Sequence, residues 1–179
     1  MAKFNPLELN RHVIFALIFL AVLVPLFLPP PKTVRVTPEV QVVYDRIDSL
    51  RPGEIVMLPC EYDPSMAAEM SPMHLAILRH CFSKDLRVLT TCLMSNGVSL
   101  IESELKQVAA EYGKQYGVDY TFLGYKPYPG IIIMAMGEDF RNPFPTDYYD
   151  TPLDEIPMMK GVKNYQNVAL VLTINSTSG

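Results

Sequence analysis

A doubly wound, mainly parallel α/β domain behind an N-terminal transmembrane helix is the fold class predicted for this chain. Three features predict it. An unbroken apolar run lies near the start, strand-like and helix-like stretches alternate after it, and Gly, Pro and Asn turn signals stand at the joints. The expected divisions are a short polar start over residues 1–12, an anchor with a proline-rich end over 13–31, and a βαβαβαβ, Rossmann-like domain over 32–179.

The apolar run is Val13–Leu28, in which 13 of 16 residues are Val, Ile, Leu or Phe and none is charged. At roughly 0.3–0.6 kcal/mol each, those residues favour a bilayer by about 4–8 kcal/mol, an upper bound because only central positions contribute fully. As a helix the run reaches about 24 Å against a hydrocarbon thickness of about 30 Å, a gap that Arg11, His12 and Lys32 close by snorkelling. A signal peptide fits the basic start and the run length, but Pro29-Pro30-Pro31 follows where a small-residue cleavage site belongs. A buried core helix is the plain alternative, but all faces of this run are apolar and no capping Gly ends it. An uncleaved anchor is therefore expected, with the side of the membrane open because Lys and Arg are nearly balanced across it.

The formal net charge of −4 argues against a nucleic-acid partner. Three cysteines, Cys60, Cys81 and Cys92, form neither a disulfide framework nor a zinc spacing, and are expected to be buried thiols. Neither GxGxxG nor GxxxxGK[ST] occurs, so no cofactor and no metal is expected.

Within the domain, Thr37-Pro38-Glu39 opens a helix, with Val40, Val43, Tyr44, Ile47 and Leu50 as its buried stripe and Pro52-Gly53 as its stop. Glu54–Glu61 is the first strand, with Pro59 expected at its end or in a bulge. Ser71-Pro72 starts a helix to about Phe82, and Leu86–Met94 is the second strand. Asn96-Gly97 turns into a helix from about Val98 to Tyr116, capped by Gly117. Its stripe is Ile101, Leu105, Val108, Tyr112 and Tyr116, with Glu102, Glu104, Lys106, Glu111 and Lys114 expected in water. Tyr120–Tyr125 is the third strand. Gly130–Met136 is ambiguous by itself and is read as the helix a parallel crossover requires. Asn142–Lys163 is expected to be a packed, proline-rich surface loop. Asn167–Ile174, apolar on both faces, is expected to be a central strand. A central strand followed by only five residues predicts a chain that continues past Gly179, or a sheet completed by a partner or a second copy.

The segments YDPSMAAEMSPMHLAILRHCFSKDLRVL, EYGKQYGVDYTFLGYKP, FPTDYYDTPL and MMKGVKNYQNVALVL, with the helix that begins PEV, resemble an uncharacterised family of prokaryotic membrane-anchored α/β proteins. The likeness runs over most of the chain, anchor included, and implies a longer chain. It brings no activity, cofactor or catalytic residue with it.

Ligands of open parallel sheets bind at the carboxyl ends of the strands. That places Glu61, Asp63, Asn96 and Lys126 nearest any ligand. Glu61 and Asp63 suit a hard cation or an acid–base pair; against that, an Asp before Pro ordinarily caps a turn. Cys60, with no histidine near it in sequence, is a poor nucleophile candidate. His74 and His80, six residues apart, stand about 240° apart around a helix and share no metal. Asp147, Tyr148, Tyr149 and Asp150 form a candidate partner surface, because Tyr is enriched at interface hot spots. Two functions follow: a membrane-tethered, non-catalytic module that binds a protein partner or scaffolds a membrane complex, or a small-molecule-binding or enzymatic domain using the strand-end crevice.

Overall fold

The computed structural model describes residues 11–27 and 36–175. The proline triplet, most of the polar start and the last four residues lie outside these. The chain divides into two compact units, Met1–Gln41 and Val42–Gly179. The first contains helix α1, Arg11–Phe27, in which no residue is buried. At 17 residues it measures about 25 Å. Among the described residues no helix is long and apolar enough to cross a membrane, so the expected transmembrane span is not found at full length.

The second unit is an α/β domain with a parallel sheet. Its elements are the end of α2 (Pro38–Asp48), β1 (Ile55–Glu61), α3 (Ala67–Ser83), β2 (Arg87–Cys92), α4 (Val98–Glu111), β3 (Tyr120–Tyr125), α5 (Pro129–Glu138), β4 (Leu170–Val171) and β5 (Ile174–Asn175). The strand order is β3-β2-β1-β4, with β5 also on β1, and every pairing is parallel. The chain runs outward from β1 to β3 and then returns to the other side of β1. The switch point therefore lies between β1 and β4.

Helices cover both faces, as strand alternation dictates. Val56, Leu58, Cys60, Val88 and Phe122 face one way, onto Ile47 of α2, Leu78 and Phe82 of α3, and Ile101, Leu105 and Val108 of α4. Ile55, Met57, Leu89 and Leu123 face the other way, onto Met136 of α5 and Phe140, Phe144, Leu153, Ile156, Met158 and Met159. The proline-rich segment between α5 and β4 thus supplies most of the second core and takes the place of a longer helix there.

Several expectations are corrected by this packing. Only the end of α2 is covered, for Ile47 is buried while Val40 and Tyr44 are more than half exposed. Pro59 lies inside β1, opposite Thr91 of β2. The carbonyls of Ile55 and Met57 accept from Ala169 and Leu172, so alternate residues of β1, Pro59 among them, face β4 and β5. With no N–H to give at Pro59, the ladder lapses there and resumes in the same register, Val56 to Leu170 before it and Cys60 to Ile174 after it. The expected fourth strand is therefore split. It also ends the strand order and is not central, with Val171 exposed. Helix α3 begins one turn before Pro72 and tolerates it near its N-terminus. Helix α4 stops short of Tyr116. Gly113 (φ 64) ends it, with Lys114 N–H donating to Ala109 and Gly113 N–H to Ala110, the two bonds of a glycine C-terminal cap. Gly117 instead turns the chain into β3, its N–H bonded to the Tyr120 carbonyl.

Candidate functional site

Three buried polar side chains converge near the carboxyl end of β1. Tyr62 follows the strand directly. His74 comes from α3, where Met70, His74 and Leu78 recur every fourth residue and turn inward. Glu104 comes from α4, between Ile101 and Val108 on the buried stripe. It does not face water as expected; only 6% of it is exposed.

Glu104 is the hub of the cluster. Its Oε2 accepts from Tyr62 Oη at 2.5 Å and from His74 Nδ1 at 2.7 Å. The Tyr62 oxygen and His74 Nδ1 stand 2.8 Å apart. Both protons point at the carboxylate in this arrangement, so His74 carries hydrogen on Nδ1. Burial drives the Glu104 carboxyl upward, but the polar groups around it, His74 foremost and then Ser71 and Tyr62, outweigh it and the group sits below the ordinary Glu value. Burial, together with the bond to Glu104, pushes the Tyr62 phenol upward.

Nε2 of His74 faces Cys60 Sγ at 3.7 Å. This neighbour was hidden from sequence reading, since the two are 14 residues apart. Cys60, His74 and Glu104 thus stand in the order of nucleophile, base and orienting carboxylate. The first of them is sealed, however: Cys60 and His74 have no exposed surface. Burial holds the Cys60 thiol well above its ordinary range. Cys92, opposite Cys60 in register, is also buried, and its Sγ–H donates to the Met94 carbonyl at 2.8 Å. The cluster works as a polar staple joining β1, α3 and α4.

These protonation preferences set an alkaline limit on stability. Cys60, Cys81 and Cys92 are all raised by burial, Cys81 to about 12, and Tyr62 and Tyr116 are raised as well. A raised acid keeps its proton in the folded state after the unfolded chain has released it. Stability is therefore complete below about pH 8.5, the unfolded thiol value, and falls as pH rises through the thiol and then the phenol range. Urea midpoints measured at pH 7.5, 9 and 10.5 should fall in that order. A flat profile would show that the thiols ionise in place.

The strand-end residues singled out from sequence are each held in their own local setting. Glu61 closes β1 opposite Asn175. Asp63 is tied locally, its Oδ1 accepting from Ser65 N–H at 2.9 Å and Ser65 Oγ at 2.6 Å, and the Ser65 hydroxyl is the main cause that holds its carboxyl low. That is the turn-capping arrangement. Asn96 is exposed in the short turn Ser95–Gly97, and Lys126 is exposed beyond β3. Among the described residues no group of three or more His, Cys, Asp or Glu is arranged to hold a metal ion.

The candidate partner surface is partly folded inward. Asp147 is buried, with Oδ1 accepting from Tyr149 and Thr151 N–H and Oδ2 from Tyr116 Oη at 2.6 Å. Tyr148 packs on Phe122, and its Cδ2 lies 3.1 Å from where a Cβ at Gly124 would stand. Tyr149 bonds Glu102 and lies under Lys106, which also pairs with Glu102. Tyr148, Tyr149 and Asp150 keep exposed edges.

At the opposite, amino ends of the strands lies a cleft of about 610 Å³, lined by Arg51, Gly53, Arg87, Gln166 and Val168 among others. It is far from the Glu104 cluster in the fold, and sequence reasoning missed it because its wall comes from three separated segments. Comparison of the chain with protein-family models, with curated proteins and with solved structures returned no match.

Proposed function

We propose that this chain is a membrane-tethered, non-catalytic α/β module that binds a protein partner or scaffolds a membrane complex. The observation that carries the reading is the placement of exposed apolar side chains. Helix α1 presents them on every face, with Phe15, Phe19, Val22, Leu26 and Phe27 each more than 60% exposed. Water is a poor solvent for such a helix, and a bilayer or its interface is a good one. Arg11, at the start of the helix, can snorkel to the headgroups and extend its reach.

A smaller apolar surface supports the partner half of the reading. In α5 only Met136 is buried, while Tyr128, Ile131 and Met134 stand exposed. Together with the exposed edges of Tyr148 and Tyr149 they offer the apolar and aromatic groups that interfaces favour. The non-catalytic half rests on Cys60, whose triad-like neighbours are enclosed with it. The alternative, a ligand or substrate at Glu61, Asp63, Asn96 and Lys126, has less support because Asp63 is occupied by Ser65.

Carbonate washing of membranes from cells that express the full chain tests the tether. The chain should stay in the pellet; recovery in the supernatant, or a mature start after residue 28, would overturn it. After mild solubilisation it should migrate above its own 20.2 kDa plus detergent, and Ile131→Glu with Met134→Glu should return it to the monomer position.

A further inference from the structure

The cleft at the amino ends of the strands holds a cation that the protein itself does not neutralise. Arg87 opens β2, and its Nε donates to the Gly53 carbonyl at 2.7 Å, which fixes the plane of the guanidinium. Its backbone N–H is also held, by the Glu54 carbonyl at 2.9 Å. Glu54 is the one carboxylate that lines the cleft, and it is committed elsewhere. It accepts from Arg51 N–H at 2.9 Å, from Arg51 Nε at 3.3 Å and from Arg51 Nη2 at 3.2 Å. The terminal nitrogens of Arg87 are therefore without a carboxylate partner among the described residues.

A guanidinium fixed at Nε and open at its two terminal nitrogens is suited to paired hydrogen bonds to a phosphate or carboxylate. The walls add Gln166, whose exposed amide can donate, and an apolar side from Pro52, Val168 and Ala169. The volume, about 610 Å³, lies within the range of small-molecule sites. We propose that this cleft binds a small ligand with one phosphate or similar oxyanion on an apolar body, and that Arg87 holds the oxyanion. The site is at the other end of the sheet from the crevice a doubly wound fold ordinarily uses, and it is independent of the membrane reading. The phosphate could belong to a free metabolite or to a lipid headgroup.

The test uses the full-length chain in a neutral maltoside detergent, with phenyl phosphate, inorganic phosphate and benzyl alcohol as probes. Phenyl phosphate should raise the melting temperature in a saturable way and bind more tightly than either fragment probe. Arg87→Gln should weaken its binding by about tenfold or more, the scale of a lost charge-assisted pair. Gln166→Glu provides a variant with little folding risk, because its side chain is exposed; it should weaken binding in the same direction by placing a carboxylate in the cleft that Arg87 lines. Competition by added phosphatidylglycerol would assign the phosphate to a lipid headgroup, and its absence would assign it to a free ligand. No stabilisation of the unmodified chain by phenyl phosphate, or equal binding by the unmodified chain and Gln166→Glu, would overturn the proposal.

Discussion

Glu104→Ala is expected to lower the stability of the full-length chain by roughly 3 kcal/mol at neutral pH, the scale of leaving two buried donors without their charged acceptor and of opening a cavity. Two effects add. The change removes the acceptor shared by Tyr62 and His74, and it opens a void between α4 and the end of β1. One rearrangement limits the loss. With Glu104 gone, Tyr62 can donate to His74 Nδ1, already 2.8 Å away, if the imidazole proton moves to Nε2 and faces Cys60. Glu104→Gln keeps the volume and one acceptor oxygen, so it should cost less, on the order of 1–2 kcal/mol.

The pH dependence separates charge from packing. The folded Glu104 carboxyl lies below its unfolded value. Its contribution is complete above about pH 4.3, the unfolded value, and is lost as pH falls through the lower folded one. The stability gap between the unmodified chain and Glu104→Gln should therefore narrow between pH 7 and pH 3. Urea midpoints at several pH values measure it; a gap of constant size would mean that the carboxyl titrates alike in the folded and unfolded chain, and a gap that widens toward low pH would mean that Glu104 carries no charge in the folded protein.

The position of Glu104 was open to sequence reading and was misread. Residues 101, 104, 105 and 108 all fall on one helical stripe, so Glu104 is no further from the centre of the buried face than its apolar neighbours. Its charge argued for water, and that argument fails when two donors from distant segments meet the carboxylate. Tyr62 and His74 gave no comparable signal, because one follows a strand and the other sits in a helix whose inner face is known only once packed. The alternation of elements was legible throughout, including the ambiguous Gly130–Met136, which forms α5 because a parallel crossover needs it. Pro59 was not legible. A proline in a central strand is tolerated here because β1 directs that position toward the edge where β4 gives way to β5. The edge place of β4 was equally hidden, since the apolar run over 168–172 reads the same in a central strand as in one whose faces are partly covered by a long loop.

Gly97→Ala should be among the most damaging single-methyl changes in the chain. Gly97 precedes α4 with φ −88 and ψ −13, a conformation open to any L residue. Backbone freedom is therefore not the reason for glycine here, and close approach is. A Cβ at this position would lie 2.2 Å from the Tyr62 carbonyl oxygen and 3.3 Å from Cys92 Sγ. The first contact is with backbone at the end of β1, and that backbone is held through the Tyr62 hydroxyl on Glu104. Relief requires either the turn before α4 to lift from the sheet or Tyr62 to withdraw from the cluster. A cost of about 3 kcal/mol or more is expected from such overpacking. Gly130→Ala supplies the contrast, for nothing lies within 4 Å of a Cβ there and its φ is not positive. In α5 that change should be neutral or stabilising by up to about 1 kcal/mol. Urea denaturation of both variants measures the difference, and equal midpoints would show that the turn and strand slide apart freely. Tyr62→Phe then tests which movement relieves the clash. If Tyr62 is the part that resists, Gly97→Ala should cost less in the Tyr62→Phe background than in the unmodified chain, an interaction that a double-mutant cycle reads directly.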